Sequence, residues 1–215
     1  MNLNRTEFPR IKTRLRAPLI LASASPRRLE ILQAEGISVI AVEHRYSEPL
    51  LDMSNDGLIG HIRDAVDCAE RKALSLPLES LAVDYPGRFA LAADTIVVSP
   101  ACRAFGKPSS ADDARRMLNA LSGQIHHVIT GVCGIDPSSA SLHSTFAISA
   151  VEFICISDSA LEEYIESGAW ADKAGGYGIQ DAASAFVAGL NGSLDNVIGL
   201  PMDSVYEVLR RFDGA

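Results

Sequence analysis

The chain has 215 residues, 47% of them hydrophobic and 21% charged, with a formal net charge of −8. This is the make-up of a globular protein long enough to bury a real core, in one large domain or two small lobes. An acidic body argues against general duplex or single-strand binding, which relies on neutralising phosphates, and no apolar run approaches the ~20 residues needed to cross a bilayer.

Residues 1–17 are basic, with Arg5, Arg10, Lys12, Arg14 and Arg16 against Glu7. They lack the apolar core of a signal peptide, so the expectation is a loosely docked extension on a protein that is not exported. The next stretch, Leu19-Ile20-Leu21-Ala22-Ser23-Ala24-Ser25-Pro26-Arg27-Arg28, reads as a short apolar strand running into a helix. Ser25 is a good N-cap, and Pro26 suits the first helical position, where a missing N–H costs nothing. Arg27 and Arg28 fall in the first helical turn, which is already partly positive. Two cations there make sense if an anion sits against the turn, with backbone N–H groups, serine hydroxyls and guanidinium forks converging on it. The plainer alternative is a capped surface helix carrying two solvated arginines.

Gly36 is the expected helix stop, and Ile37–Val42 reads as a second strand, leading into the polar stretch Glu43–Pro49. Asp56 can cap a longer helix with apolar positions at Leu58, Ile62, Ala65, Ala69, Ala73 and Leu76. Lys72 lies at the edge of that stripe. Taken alone it reads as a snorkelling side chain, the alternative being an ammonium aimed at a ligand.

Leu76–Arg88 reads as loop, and Phe89–Val98 is the most strand-like run in the chain. Asp94 stands in its middle. A carboxylate inside an apolar strand is costly unless paired, hydrogen-bonded or on a metal, which makes Asp94 the most informative acidic residue. A strand-end aspartate bonded to nearby backbone is the bland alternative. Gly106-Lys107-Pro108 forms a loop that presents Lys107. Ser110 opens a helix with Ala114, Met117, Leu118 and Leu121 inward, stopped by Gly123.

His126–Ile135 and Leu142–Ile156 read as a hairpin turning at Asp136-Pro137-Ser138-Ser139. A short helix over Ser157–Ser167 turns Leu161, Tyr164 and Ile165 inward. Asp172-Lys173-Ala174-Gly175-Gly176-Tyr177-Gly178-Ile179-Gln180 permits close backbone approach to a ligand, and Gln180 carries both a donor and an acceptor. A plain connector is the other reading of such a loop. A strand over about 183–190, a turn over Gly192–Pro201 and an amphipathic helix with Val205, Val208, Leu209 and Phe212 complete the chain. Alternating strands and helices with a central hairpin predict a mixed α/β sheet with helices on its faces, whose ligands sit beyond the strand ends.

The cysteines, Cys68, Cys102, Cys133 and Cys155, lack zinc-site spacing, and the five histidines form no HExxH array. Reduced thiols in a cytoplasmic protein are expected. Any metal would be a hard cation held by carboxylates and substrate phosphate oxygens. A P-loop ATPase is not expected, because no GxxxxGK[ST] motif occurs.

Taken together these motifs resemble the Maf family of nucleoside triphosphate pyrophosphatases. The resemblance is carried by Leu21–Arg28, Ala69-Glu70-Arg71-Lys72-Ala73, Ala93-Asp94-Thr95, Gly106-Lys107-Pro108, Leu121-Ser122-Gly123-Gln124 with His126, Asp172-Lys173-Ala174-Gly175 and Gly199-Leu200-Pro201, in that order. It implies one domain over 18–215, with two lobes and an elongated mixed sheet around a deep cleft. It further implies hydrolysis of a nucleoside triphosphate between the α and β phosphates, with Mg²⁺ or Mn²⁺, by a cytoplasmic protein that is often dimeric and needs neither nucleic acid nor membrane. On this reading Asp94 is the catalytic base and, with Glu48, the metal ligand. Ser23, Arg27, Arg28, Glu48, Lys72, Lys107 and Gln180 bind substrate, whose roughly four negative charges an acidic body must offset locally. Gly176–Gln180 and Thr95 resemble the branch acting on dTTP and UTP. Ala169, Asp181 and Gly192-Ser193-Leu194-Asp195-Asn196 depart from the family pattern, and the added charge at Asp181 bears on nucleotide selectivity. The alternatives are a pyrophosphatase for another or modified nucleotide, and a nucleotide-binding regulator of cell division with little turnover.

Overall fold

A computed structural model of the protein describes residues 18–47 and 57–212. The basic residues 1–17, Glu48 and the expected helix cap Asp56 lie outside the described residues. In chain order the elements are β1 (Leu19–Leu21), α1 (Pro26–Ala34), β2 (Val39–Ala41), α2 (Gly57–Leu74), α3 (Leu78–Asp84), β3 (Ala90–Val98) and β4 (Ala104–Phe105). These are followed by α4 (Ala111–Leu121), β5 (Ile125–Ile135), β6 (Leu142–Phe153), α5 (Asp158–Glu166), β7 (Val187–Asn191), α6 (Leu194–Ile198) and α7 (Met202–Arg211). Short 3₁₀ turns occupy Ala174–Gly176 and Ala182–Phe186.

The strands form one mixed sheet in the order β2-β1-β3-β5-β6-β7, with β4 on the edge of β3. β1 is parallel to β2 and β3, and the remaining pairs are antiparallel. β3 is apolar along almost its whole length because both of its faces are covered. Leu91 and Ala93 face a cluster built with Leu32 of α1 and Val205, Val208 and Leu209 of α7. Ala90 and Ala92 face Ala69 and Ala73 of α2 and Leu81 of α3. A second large cluster at the other end of the sheet joins Leu118 of α4, Tyr164 of α5 and Phe153 of β6. The mixed sheet flanked by helices is the predicted architecture.

Several expectations are corrected in detail. Ser25 stands at the N-cap in extended conformation, but its side chain makes no cap bond; its N–H donates instead to Ser23 Oγ at 3.1 Å. The strand expected over Ile37–Val42 is shorter, and the one expected over 183–190 begins only at Val187. Leu76–Arg88 contains α3, with Pro77 at its N-cap. Proline punctuates a helix start as readily as a loop, and Leu81 buries the resulting turn. The Gly192–Pro201 turn contains α6, too short at five residues to show a helical period.

α2 crosses β3 and β5 at unusually close range. Gly131 of β5 lies directly under it: a Cβ there would fall well inside contact distance of the Ala65 carbonyl and 2.7 Å from Val66 N. Gly131 is also the register partner of Asp94. The missing side chain therefore lets α2 settle onto the sheet beside that carboxylate.

Candidate functional site

β1 runs beside β3 only for Ile20↔Ala90 and Leu21↔Leu91, then its chain turns away through Ala22–Ser25 into α1. β3 continues antiparallel to β5 as far as Val98. The departure of β1 opens a cleft of ≈ 820 Å³ along the second half of β3. The period-2 alternation of a strand sends Asp94 and Thr95 to opposite sides of it.

On the side covered by α2, Lys72 Nζ donates to Asp94 Oδ1 at 2.6 Å. Lys72 is 3% exposed and Asp94 7%, so both charges are largely withdrawn from solvent and each offsets the desolvation of the other. The snorkelling reading of Lys72 is thereby overturned. With Gly131 below it, α2 sits low enough for the ammonium to reach inward, and the stem is carried into the sheet face instead of along the surface.

On the other side, Arg28 is held in the wall. Its Nε donates to the Gly199 carbonyl at 2.8 Å, Nη1 to Ser23 Oγ at 3.2 Å and Nη2 to Thr95 Oγ1 at 3.2 Å. Thr95 Oγ1 meets Thr130 Oγ1 at 3.0 Å, and Thr130 donates to the Asn196 carbonyl at 3.2 Å. Asn196 Nδ2 continues to Ser149 Oγ at 2.9 Å and to the Val128 carbonyl at 3.1 Å. A polar relay, part-buried at Arg28 and Thr95 and buried at Thr130 and Asn196, thus runs from the β1–α1 turn across β3 and β5 to β6. Sequence reasoning missed Thr130 and Asn196. The available signal was a threonine inside an otherwise apolar strand and an asparagine just before the Gly199-Leu200-Pro201 turn.

The segment 172–181 forms the facing wall. Arg27 Nη2 donates to the Asp172 carbonyl at 2.9 Å, and Gly175 N–H donates to the Gly106 carbonyl at 2.9 Å, tying this wall to the loop that presents Lys107. Tyr177 is anchored from behind by His126, whose Nε2 lies 2.8 Å from the tyrosine hydroxyl. Burial, with a smaller contribution from neighbouring His127, lowers the His126 pKa to about 4, and burial raises that of Tyr177. Both are therefore neutral at pH 7, one donor and one acceptor. Lys173 Nζ lies 3.1 Å from Asp181 Oδ2 and also donates to the Ala169 carbonyl. The charge that Asp181 adds is thus balanced within the loop.

Ser23, Arg27, Arg28, Lys72, Asp94, Lys107 and Gln180 all line this one cleft; Glu48 lies outside the described residues. Lys107 and Gln180 are exposed, whereas Ser23, Lys72 and Asp94 are buried. Among the described residues no group of three or more His, Cys, Asp or Glu is arranged to hold a metal ion, and no described helix is long and apolar enough to cross a membrane. The cleft offers cations and donors on its rim, the N-terminus of α1 at one end, and one buried carboxylate on its floor. That set suits a polyanion whose reaction needs a base.

A model of the family described as Maf-like protein matches residues 18–212. A protein from Pyrococcus horikoshii named dTTP/UTP pyrophosphatase is 40% identical over 201 residues, covering 89% of this chain and 95% of its own length. One of the same name from Geotalea uraniireducens is 40% identical over 193 residues, covering 90% of this chain and 94% of its own. A third, from Hyphomonas neptunium, is 39% identical over 199 residues, covering 92% and 95%. With the family model running from β1 to α7, through every described wall of the cleft, and relatives at 39–40% identity covering about nine-tenths of the chain, the chain belongs to the Maf-like protein family.

Proposed function

We propose that the protein hydrolyses nucleoside triphosphates, dTTP and UTP foremost, at the α–β bond to give the monophosphate and pyrophosphate. The observation that carries this reading is the buried Asp94–Lys72 pair on the floor of a cleft rimmed by Arg27, Lys107 and the N-terminus of α1, in a chain whose relatives bear that name. Ser23, Arg27 and Lys107 bind the phosphate chain, and the positive end of the α1 dipole adds to them. Arg28, spread over three acceptors of the wall, shapes the β1–α1 turn that receives the phosphates. Lys72 holds Asp94 through Oδ1, so that Oδ2 takes the proton of the water attacking phosphorus. Gln180 reads the base.

A divalent cation, Mg²⁺ or Mn²⁺, fits this donor set. Such ions are commonly held by one or two carboxylates together with substrate phosphates and waters, and Asp94 is a carboxylate of that kind, with Glu48 as the second. Bound there, the cation would neutralise phosphate charge and make the phosphorus more electrophilic. The proposal includes a cytoplasmic location and a homodimer, which light scattering would read as twice the 22.9 kDa of the chain.

The test is pyrophosphate release from dTTP, UTP, CTP, ATP, GTP and 7-methyl-GTP with each cation. Release from dTTP and UTP is expected, with kcat lowered at least ~10²-fold in Asp94→Asn. Orthophosphate as the product, or release indifferent to Asp94, would overturn the reading. A different preferred nucleotide with the same Asp94 dependence would overturn the base assignment alone.

A further inference from the structure

The segment carrying Gln180 is closed on itself. Asp181 N–H donates to the Gly178 carbonyl at 3.2 Å, making a turn with Ile179 and Gln180 at its corner. Asp181 then fixes the turn from both ends. Its Oδ1 accepts from Ala183 N–H at 3.1 Å, and its Oδ2 pairs with Lys173 at 3.1 Å. Lys173 is in turn tied to the Ala169 carbonyl, just beyond the end of α5. The pair lies directly on Gly178, where a Cβ would come within 2.7 Å of Lys173 Cε and still closer to Asp181 Oδ2. Both side chains are largely covered, at 16% and 31% exposure. An ion pair so placed is less screened than one on the open surface, and it spans the corner that projects Gln180 into the cleft.

We propose that the Lys173–Asp181 pair is a positioning clamp that holds Gln180 at a fixed depth in the cleft and thereby sets discrimination between pyrimidine and purine triphosphates. This rests on the cleft being a nucleoside triphosphate site. Uracil and thymine present an imide N–H beside a carbonyl oxygen, and guanine presents the same pair on its N1–O6 edge. An amide such as Gln180 pairs equally well with either, so hydrogen bonding by itself does not separate UTP from GTP. The difference that the wall itself senses is size, and a wall discriminates by size only if it cannot retreat. Clamped, the Gly178–Asp181 turn admits the single ring; released, it gives way to the double ring.

The experiment measures kcat/KM for UTP and GTP, and hydrogen–deuterium exchange over residues 174–184, in the wild-type protein, Asp181→Asn, Lys173→Met and the swapped double variant Lys173→Asp with Asp181→Lys. The expected result is a UTP/GTP ratio lowered at least tenfold in each single variant, chiefly through a lower KM for GTP, with kcat for UTP within a factor of three. Faster exchange over 174–184 accompanies it, and the swapped variant recovers part of both effects. Folded single variants that keep the wild-type ratio, or the wild-type exchange over this segment, overturn the clamp. Wild-type protein that releases no pyrophosphate from any triphosphate overturns the functional reading instead; exchange in Asp181→Asn then still decides whether the pair holds the turn.

Discussion

Lys72 and Asp94 show how one buried side chain makes sense only through another. Each is buried, and their contact at 2.6 Å compensates two desolvated charges. Removing one partner leaves the other charge stranded, which typically costs about 3–5 kcal/mol. Lys72→Met is therefore expected to lower unfolding stability by about that amount in urea titration, while the double variant with Asp94→Asn recovers much of the loss. Activity stays low in both. Asp94 stood out in the sequence because a carboxylate in an apolar strand needs a partner. Lys72 was noticed but ambiguous, because a lysine at the edge of an apolar stripe has two outcomes, and the choice rests on what lies beneath the helix.

At the scale of elements, what lies beneath is Gly131. The close approach of α2 to β5 at this position sets the height of Lys72 over the register pair Asp94↔Gly131. In Gly131→Ala the new methyl has to push the helix backbone away. We expect a loss of about 1–3 kcal/mol, the usual cost of overpacking, together with a fall in pyrophosphate release larger than a distant core substitution of equal destabilisation produces. Equal falls in the two would mean that helix height is not coupled to the site. The long elements were legible in the sequence: α4, with its Ser110 cap, the β5–β6 hairpin and α7 show a clear period or turn signal. α3 and α6 were not, since one begins at a proline and the other spans little more than one turn. Glycine 131 was silent as well, for nothing local distinguishes a glycine that receives a helix from one that merely weakens a strand.

Across the whole molecule, the apolar cluster around Phe153 backs the cleft through Tyr177, and it has a pH dependence of its own. His126 is fully buried beside Tyr177 and Phe153, and its pKa of about 4 lies below the ordinary value of 6.5. In the unfolded chain this residue takes up a proton as pH falls below about 6.5, whereas the folded protein resists until about pH 4. Its contribution is therefore fully present above pH 6.5 and is lost on acidification toward pH 4, in total about 3 kcal/mol. Urea midpoints measured over that window should fall more steeply for the wild-type protein than for His126→Gln; parallel curves would show that His126 does not titrate on unfolding.

The sequence by itself determined the order of the long strands and helices and the anomaly of Asp94, and it marked the Ser23–Arg28 turn as a candidate anion site. These depend on residues close enough along the chain for spacing, capping and burial cost to speak directly. The tertiary structure alone decided that Lys72 pairs with Asp94, that Arg28 is locked by Thr95 and the Gly199 carbonyl into a relay reaching Asn196, and that Asp181 closes on Lys173. Most of these partners lie far apart in sequence, and each pairing is imposed by strand register, helix height or turn closure, since a buried polar group must be satisfied by whatever the packing brings beside it.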